Sequence, residues 1–348
     1  YNTDNTPEKE EYRGLHILRI PCLEIIRGRF AVPQPFALLK ILRKLSYNKY
    51  DFVHTHLRFF DQTWWSWIYA KSIGARSIFT EHVASHPVHQ FKIIEFVAWL
   101  VDKTIPPISI NHYDIITTTN ISAKQFLLNL GIKKSIHIVY GGVDTKYFSP
   151  KNTSSKIIPK VSQQLSQDAI VISYIGRMIW TKGVTYLYES IKKLLPELNK
   201  HIYFVLAGDG ELYEGLKKSI ISDNFTKKVF LTGNLNPLEV RDLLRVTDIF
   251  VYPSHHSEGL PNSILEAGAS GCFVIATDNA GTSEIITHKE TGLLIPKKDS
   301  KAIVNTILWT LNNYKPRKQI AKKLQVTINE NFRWVKIVEM YYNLLNFT

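Results

Sequence analysis

The segment EGLPNSILEAGASG, residues 258–271, holds two carboxylates, Glu258 and Glu266, separated by seven residues. Pro261, Asn262 and Ser263 suit the first turn of a helix, because proline loses no bond there and short polar side chains accept from free backbone donors. A helix that starts there turns unpaired N–H groups and a positive dipole end toward the preceding loop, a setting for a phosphate or a sugar oxygen. Glu258 lies on that loop, and Glu266 lies inside the helix among Ile264, Leu265, Ala267 and Ala269. A carboxylate among such neighbours is costly to bury unless something hydrogen-bonds to it, and ribose hydroxyls would do so. The spacing alone also accommodates a plainer reading, in which Glu258 is a loop charge near a helix dipole and Glu266 pairs with a lysine.

Further candidates follow other strand-like runs. GRMIWTKG, residues 176–183, puts Arg177 and Lys182 on a loop before a helix. A diphosphate leaving group gains negative charge as a glycosidic bond breaks, so fixed cations stabilise that transition state more than the ground state. Solvated surface is the alternative for both. LAGDGEL, residues 206–212, brings Gly208, Asp209 and Gly210, whose small backbone lets a nucleotide approach. It matches neither the dinucleotide fingerprint nor a P-loop. His54 and His56 share one face of a strand, and a helical turn would join His82 to His86, so a zinc-dependent hydrolase is an alternative. No acidic ligand with metal-site spacing accompanies them. Trp64, Trp65 and Trp67 read as core packing rather than a sugar platform.

The elements that must position these residues alternate. Short runs rich in Val, Ile, Phe and Tyr at 14–20, 51–56, 75–82, 113–119 and 136–140 are separated by stretches of helical spacing. A second set begins after a polar linker at 151–167, with strands predicted at 168–176, 201–208, 228–233, 248–254, 272–278 and 292–296. Helices are predicted at 183–196, 211–222, 237–246, 262–270, 300–314 and 316–330. Alternation of this kind means an α/β fold with parallel sheets. The expected domains are 1–150, 168–330 and a closing helix at 331–348 that packs back toward the first domain. Ligands of open parallel sheets gather at the carboxyl ends of the strands, where all the candidates above fall.

Composition narrows the class. With 348 residues, 45% of them apolar, two cores are expected. The net charge of +13 divides evenly: 18 basic and 12 acidic side chains lie in 1–150, and 25 and 18 in the remainder. No basic tail or Arg-rich stripe tracks a phosphate backbone, so nucleic acid is not expected as a partner, whereas scattered cations suit an anionic membrane surface. Cys22 and Cys272 fall in different domains, which fits a reducing, cytoplasmic setting. No apolar run reaches the roughly 20 residues of a membrane span.

Taken in order, GRMIWTKG, LAGDGEL, SEGLPNSILEAGASGCFVIATDNAGTSEII and TGLLIP resemble the second half of a family 4 glycosyltransferase of the GT-B fold. The resemblance continues upstream through VYGGVDTKYFSP and TTTNISAKQFLLNLGI, and more faintly to FTEH and DFVHTH. It implies two Rossmann-like domains facing a central cleft. It implies sugar transfer from a nucleotide-diphosphate donor, UDP- or GDP-linked, with retention of configuration and no bound metal or other cofactor. The acceptor would be a saccharide or a lipid-linked glycan at the inner membrane face. By position, Arg177 and Lys182 would hold the pyrophosphate, Glu266 the ribose and Glu258 the donor-sugar hydroxyls. Backbone at Gly259 and Leu260 would touch sugar or phosphate, and His82 would reach the donor sugar from the first domain. A nucleotide-sugar epimerase of the same fold is an alternative, and a non-catalytic sugar-nucleotide-binding fragment is a further one. Two departures stand out. The run Gly268-Ala269-Ser270 comes after Glu266 where the family often carries a methionine. The strand and glycine-rich loop that open the family's first domain are expected to be missing, as if the chain began near the end of the second βα unit.

Overall fold

The computed structural model describes residues 6–26, 30–86, 91–150, 169–198, 201–256 and 259–347. The predicted linker at 151–167 lies outside the described residues.

The chain opens with two hairpins. Strands β1 (Lys9–Tyr12) and β2 (Leu15–Leu18) pair antiparallel, from Lys9 opposite Leu18 to Tyr12 opposite Leu15. The run at 14–20, expected among the strands of the alternating series, therefore belongs to a separate ribbon. The cause is local. Arg13 and Gly14 both adopt positive φ, 52° and 80°, the two-residue turn whose twist matches a hairpin. Strands β3 (Cys22–Ile26) and β4 (Phe30–Pro33) form a second antiparallel ribbon.

Helix α1 (Pro35–Leu45) then leads into an alternating series: β5 (Phe52–His56), α2 (Asp61–Ser72), β6 (Arg76–Glu81), α3 (Lys92–Ile110), β7 (Ile115–Thr118), α4 (Ile121–Asn129) and β8 (Ile136–Ile138). The four strands form one sheet in the order β5-β6-β7-β8, with β5 parallel to β6. Several polar groups buried here are paired. Arg58 and Asp102 are both fully buried, with Nε to Oδ1 at 2.6 Å and Nη2 to Oδ2 at 3.2 Å. His86 Nδ1 adds a contact to Asp102 Oδ2 at 2.5 Å. The Tyr113 hydroxyl donates to the Thr63 carbonyl at 2.7 Å, and burial pushes its pKa up to about 12.

The second series is β9 (Ile170–Ile175), α5 (Val184–Leu194), β10 (Ile202–Ala207), α6 (Tyr213–Ser222), β11 (Val229–Gly233), α7 (Pro237–Val246), β12 (Ile249–Tyr252), α8 (Asn262–Ala269), β13 (Phe273–Thr277) and β14 (Leu293–Ile295). Helices α9 (Ser300–Asn312), α10 (Tyr314–Asn331) and α11 (Trp334–Phe347) close the chain. The six strands form one parallel sheet in the order β11-β10-β9-β12-β13-β14. Strands such as IYFVLA and FVIAT are buried along their whole length, as a parallel sheet covered on both faces requires. Local chemistry fixes the helix starts: Asn236 and Glu239 form a reciprocal capping box on α7, and the Asp299 side chain accepts from the Ala302 N–H on α9.

By contacts the chain divides into two compact units. The first comprises Tyr1–Thr80, His86–Ile116 and Leu130–Ser135; the second comprises Glu81–Ser85, Thr117–Asn129 and Ile136–Thr348. The second unit thus takes three segments that precede residue 150, among them the one carrying His82. Helix α11 begins inside it, where the Val143 N–H donates to the Phe332 carbonyl at 2.8 Å and Gly142 leaves room for Trp334. Among the described residues no helix is long and apolar enough to cross a membrane.

Candidate functional site

Counted within its own unit, the six-stranded sheet runs 3-2-1-4-5-6, the doubly wound order, and its direction of winding reverses between β9 and β12. The loops leaving the carboxyl ends of two such strands diverge and leave a crevice. Arg177 and Lys182 follow β9, and the glutamate-bearing segment follows β12, so the sequence candidates sit at that reversal.

The two loops are tied to one another. The His255 N–H donates to the Thr181 carbonyl at 3.1 Å, and His255 Nε2 donates to the Trp180 carbonyl at 2.7 Å. Lys182 Nζ donates to the Tyr252 hydroxyl at 3.4 Å and lies 5.7 Å from that ring's centre. Arg177 is exposed, and among the described residues no carboxylate pairs with it. A third loop joins from β10. The Met178 N–H donates to the Asp209 carbonyl at 2.8 Å. Gly208, at φ +130°, approaches so closely that a Cβ there would lie 1.9 Å from the Gly176 carbonyl oxygen. Gly208 and Asp209 therefore border the Arg177 loop, with the Asp209 carboxylate turned back onto the Gly210 N–H at 2.7 Å.

Helix α8 starts at Asn262 with Pro261 as its N-cap and no side-chain cap, leaving the first-turn donors to backbone or ligand. Asn262 and Leu260 lie against Gly141, whose Cβ position is 3.6 Å from Asn262 Oδ1 and 3.7 Å from Leu260 Cδ2. Ser263 and Glu266 are half-buried on the same helix. No described side chain hydrogen-bonds or ion-pairs with the Glu266 carboxylate, so the lysine pairing is not found. Burial alone pushes its pKa from 4.5 to about 7. The unit provides a carboxylate that lacks the hydrogen bonds its burial calls for. Gly268, in place of a larger residue, admits α10: a Cβ there would meet Ile328 Cδ1 at 2.3 Å and Leu324 Cδ2 at 2.8 Å. Glu258 lies outside the described residues.

Around Gly259 the packing is tighter still. A Cβ on Gly259 would fall 2.1 Å from the His82 carbonyl oxygen, and one on Gly281 would fall 2.1 Å from the Gly259 carbonyl oxygen. Three backbones are stacked here, so only glycine fits at either position. This brings His82 beside Gly259. The Glu81 carboxylate accepts from the His82 and Val83 N–H groups at 2.9 Å, and burial lowers the His82 pKa, which favours the neutral imidazole.

Three residues not singled out in the sequence complete the surroundings. Asn279 Nδ2 donates to the Ser254 and His256 carbonyls, both at 2.7 Å, and so fixes the chain that enters the Glu258 segment. Asn120 Oδ1 accepts from the Ala123 N–H at 2.6 Å and caps α4, while its buried Nδ2 has no partner among the described residues and lies 3.4 Å from the Gly259 Cβ position. Glu284 accepts from the Ile121 N–H at 2.9 Å through both oxygens and also from the Tyr140 hydroxyl. Burial raises the Glu284 pKa, and those donors oppose the rise.

The histidine cluster is dispersed. The His54 and His56 rings lie 4.2 Å apart and tilted by 37°, with His54 Nε2 sharing a hydrogen bond with Thr80 Oγ1 at 2.7 Å. His86 is held by Asp102, and His82 belongs to the other unit. Among the described residues no group of three or more His, Cys, Asp or Glu is arranged to hold a metal ion.

Comparison with known proteins gives the same reading. Residues 156–326 match the family Glycosyl transferases group 1, and residues 1–147 match Glycosyltransferase Family 4. A Methanocaldococcus jannaschii protein named only as a glycosyltransferase is 25% identical over 97% of this chain and 86% of its own. The Escherichia coli UDP-Gal:α-D-GlcNAc-diphosphoundecaprenol α-1,3-galactosyltransferase is 27% identical over 88% of this chain and 78% of its own. In fold, Anabaena HepE crystallised with UDP superposes with a TM-score of 0.75 at 18% identity, covering 90% of this chain and 82% of that one. A Rickettsia africae glycosyltransferase gives 0.74 at 22% identity, covering 94% and 84%. With its two α/β units, its doubly wound sheet and family matches that together span most of its length, the chain is a glycosyltransferase of the family 4 type, with the GT-B fold.

Proposed function

We propose that the protein transfers a sugar from a nucleotide-diphosphate donor, a UDP-sugar, to a saccharide or lipid-linked acceptor with retention of configuration. The observation that carries this reading is Glu266: a half-buried carboxylate without a partner among the described residues, its pKa pushed to about 7, on the helix that follows the strand at the reversal of the sheet. Two ribose hydroxyls supply the donors it lacks. Arg177 and Lys182, on the loop tied to that strand's end, neutralise the diphosphate. The solved structure of HepE with UDP and the UDP-Gal in the name of the Escherichia coli relative support uridine as the base.

In the reaction the bond between the sugar's anomeric carbon and the β-phosphate oxygen breaks. The acceptor oxygen bonds to the same face of that carbon, and its proton passes to the departing phosphate. UDP leaves with the added negative charge, which the two cations stabilise more in the transition state than in the ground state. Glu258 and the neutral His82 hold the donor-sugar hydroxyls, and the backbone at Gly259 and Leu260 lies along the sugar and phosphate. The lipid part of the Escherichia coli acceptor supports a lipid-linked acceptor here. A screen of radiolabelled UDP-, GDP- and ADP-sugars against polyprenyl-diphosphate saccharides tests the proposal. Turnover with a UDP-sugar is expected, and turnover confined to another nucleotide, or hydrolysis dependent on added metal, would refute it.

A further inference from the structure

The net charge of the first 150 residues has a single source. Residues 25–50 hold six basic side chains (Arg27, Arg29, Lys40, Arg43, Lys44 and Lys49) and no Asp or Glu. The rest of 1–150 carries twelve of each sign. At the centre of this window lies α1, a helix with no buried residue. Its inner side, Ala37, Leu38, Ile41, Leu42 and Leu45, is half-buried. Its outer side follows helical spacing and mixes apolar with basic groups: Phe36 is 89% exposed and Leu39 63%, with Lys40, Arg43 and Lys44 on the same face. Tyr47, 79% exposed, extends that face one turn beyond the helix. Among the described residues no carboxylate pairs with Lys40 or Arg43, while Lys44 also lines a shallow groove with Glu10 and Glu11.

A large aromatic and a leucine exposed beside unpaired cations match an interface that is apolar just below an anionic surface, which is a bilayer containing acidic lipid. We propose that α1 seats the protein on anionic membrane, with Phe36 and Leu39 inserted among the acyl chains and Lys40 and Arg43 at the headgroup phosphates. This deepens the lipid-linked acceptor of the preceding section and rests on it. A second exposed apolar row, Ile93, Phe96, Val97 and Leu100 on α3, is poorer in free cations: Lys92 is bonded to Glu95 at 2.7 Å, which leaves Lys103 alone beside the row. It serves as the internal comparison.

The test is co-sedimentation of the full chain with vesicles of phosphatidylcholine, alone or with phosphatidylglycerol, and UDP affinity is measured on each preparation. The wild type is expected to bind only the anionic vesicles and to release in high salt. The double variant Lys40→Gln/Arg43→Gln should lose about 30-fold in partitioning, each cation near an anionic surface being worth roughly five-fold. Phe36→Ser/Leu39→Ser should lose at least ten-fold, and Ile93→Ser/Phe96→Ser should stay within two-fold. All variants should keep wild-type UDP affinity, which excludes misfolding of the donor-binding unit. Three results would overturn the proposal: no binding by a wild type that binds UDP, loss with the α3 pair but not the α1 pairs, or full binding by Phe36→Ser/Leu39→Ser. The last would mark a purely electrostatic surface of the kind that takes polyanions such as RNA. Vesicle binding by a protein that fails to bind UDP would instead refute the donor reading and leave this one standing.

Discussion

The two units handle burial in opposite ways. The second covers both faces of a six-stranded parallel sheet, and its strands are buried almost end to end. The first opens with an exposed ribbon, β1 with β2, and includes a helix without a buried residue, and its interior holds a full ion pair, Arg58 with Asp102. A sheet buried on both faces gives rigid strand ends, on which loops after β9, β10 and β12 can hold a nucleotide with little reorganisation. A unit with much exposed apolar surface is suited to meeting varied or membrane-bound partners. On the proposed function, donor and acceptor recognition would place different demands on the same α/β plan.

The largest expected effect separates the units by stability. Asp102→Asn leaves the buried Arg58 guanidinium without its counter-charge and should cost about 3–5 kcal/mol in urea unfolding. UDP affinity measured below the transition should be unchanged, and a parallel loss of UDP binding would break the separation. Next in size, Glu258→Gln should lower turnover about 100-fold, the scale of one lost transition-state hydrogen bond, with UDP affinity within about threefold. Loss of UDP binding as large as the loss of turnover would move Glu258 from the sugar to the nucleotide. The smallest effect concerns pH. The fold raises the Glu266 pKa from 4.5 to about 7, so the protonated form is the one the fold favours. That stability is fully present below about pH 4.5 and is lost as pH rises through about 7. Glu266→Gln should therefore be more stable than wild type by about 1–2 kcal/mol at pH 8, after discounting for solvent, and equal to it near pH 4. A difference independent of pH would place the carboxylate in water.

What could be read in the sequence followed a physical rule. The predicted strands at 51–56, 75–82, 113–119 and 136–140 and all six of the second sheet appear within a few residues of their expected bounds, because runs of β-branched and aromatic residues announce buried strands directly. The run at 14–20 was a strand with the wrong partner, since the Arg13-Gly14 turn acts through two residues that apolar periodicity does not register. Glu266 stood out because a charge amid Ile264, Leu265 and Ala267 is a local anomaly. Asn279, Asn120 and Glu284 did not, because what each does depends on a partner far along the chain or close only in space. Asn279 holds carbonyls at 254 and 256, Glu284 caps a helix 163 residues upstream, and Asn120, whose cap on Ala123 is local, meets Gly259 only in space.

The Glu266 carboxylate, without a partner among the described residues, is the proposed ribose site. Calorimetric titration of UDP into the wild type and Glu266→Ala at pH 8 tests it most directly. Saturable binding by the wild type and at least about tenfold weaker binding by the variant are expected, the loss that follows when hydrogen bonds to a charged group are removed. Equal affinity of the two proteins would contradict it.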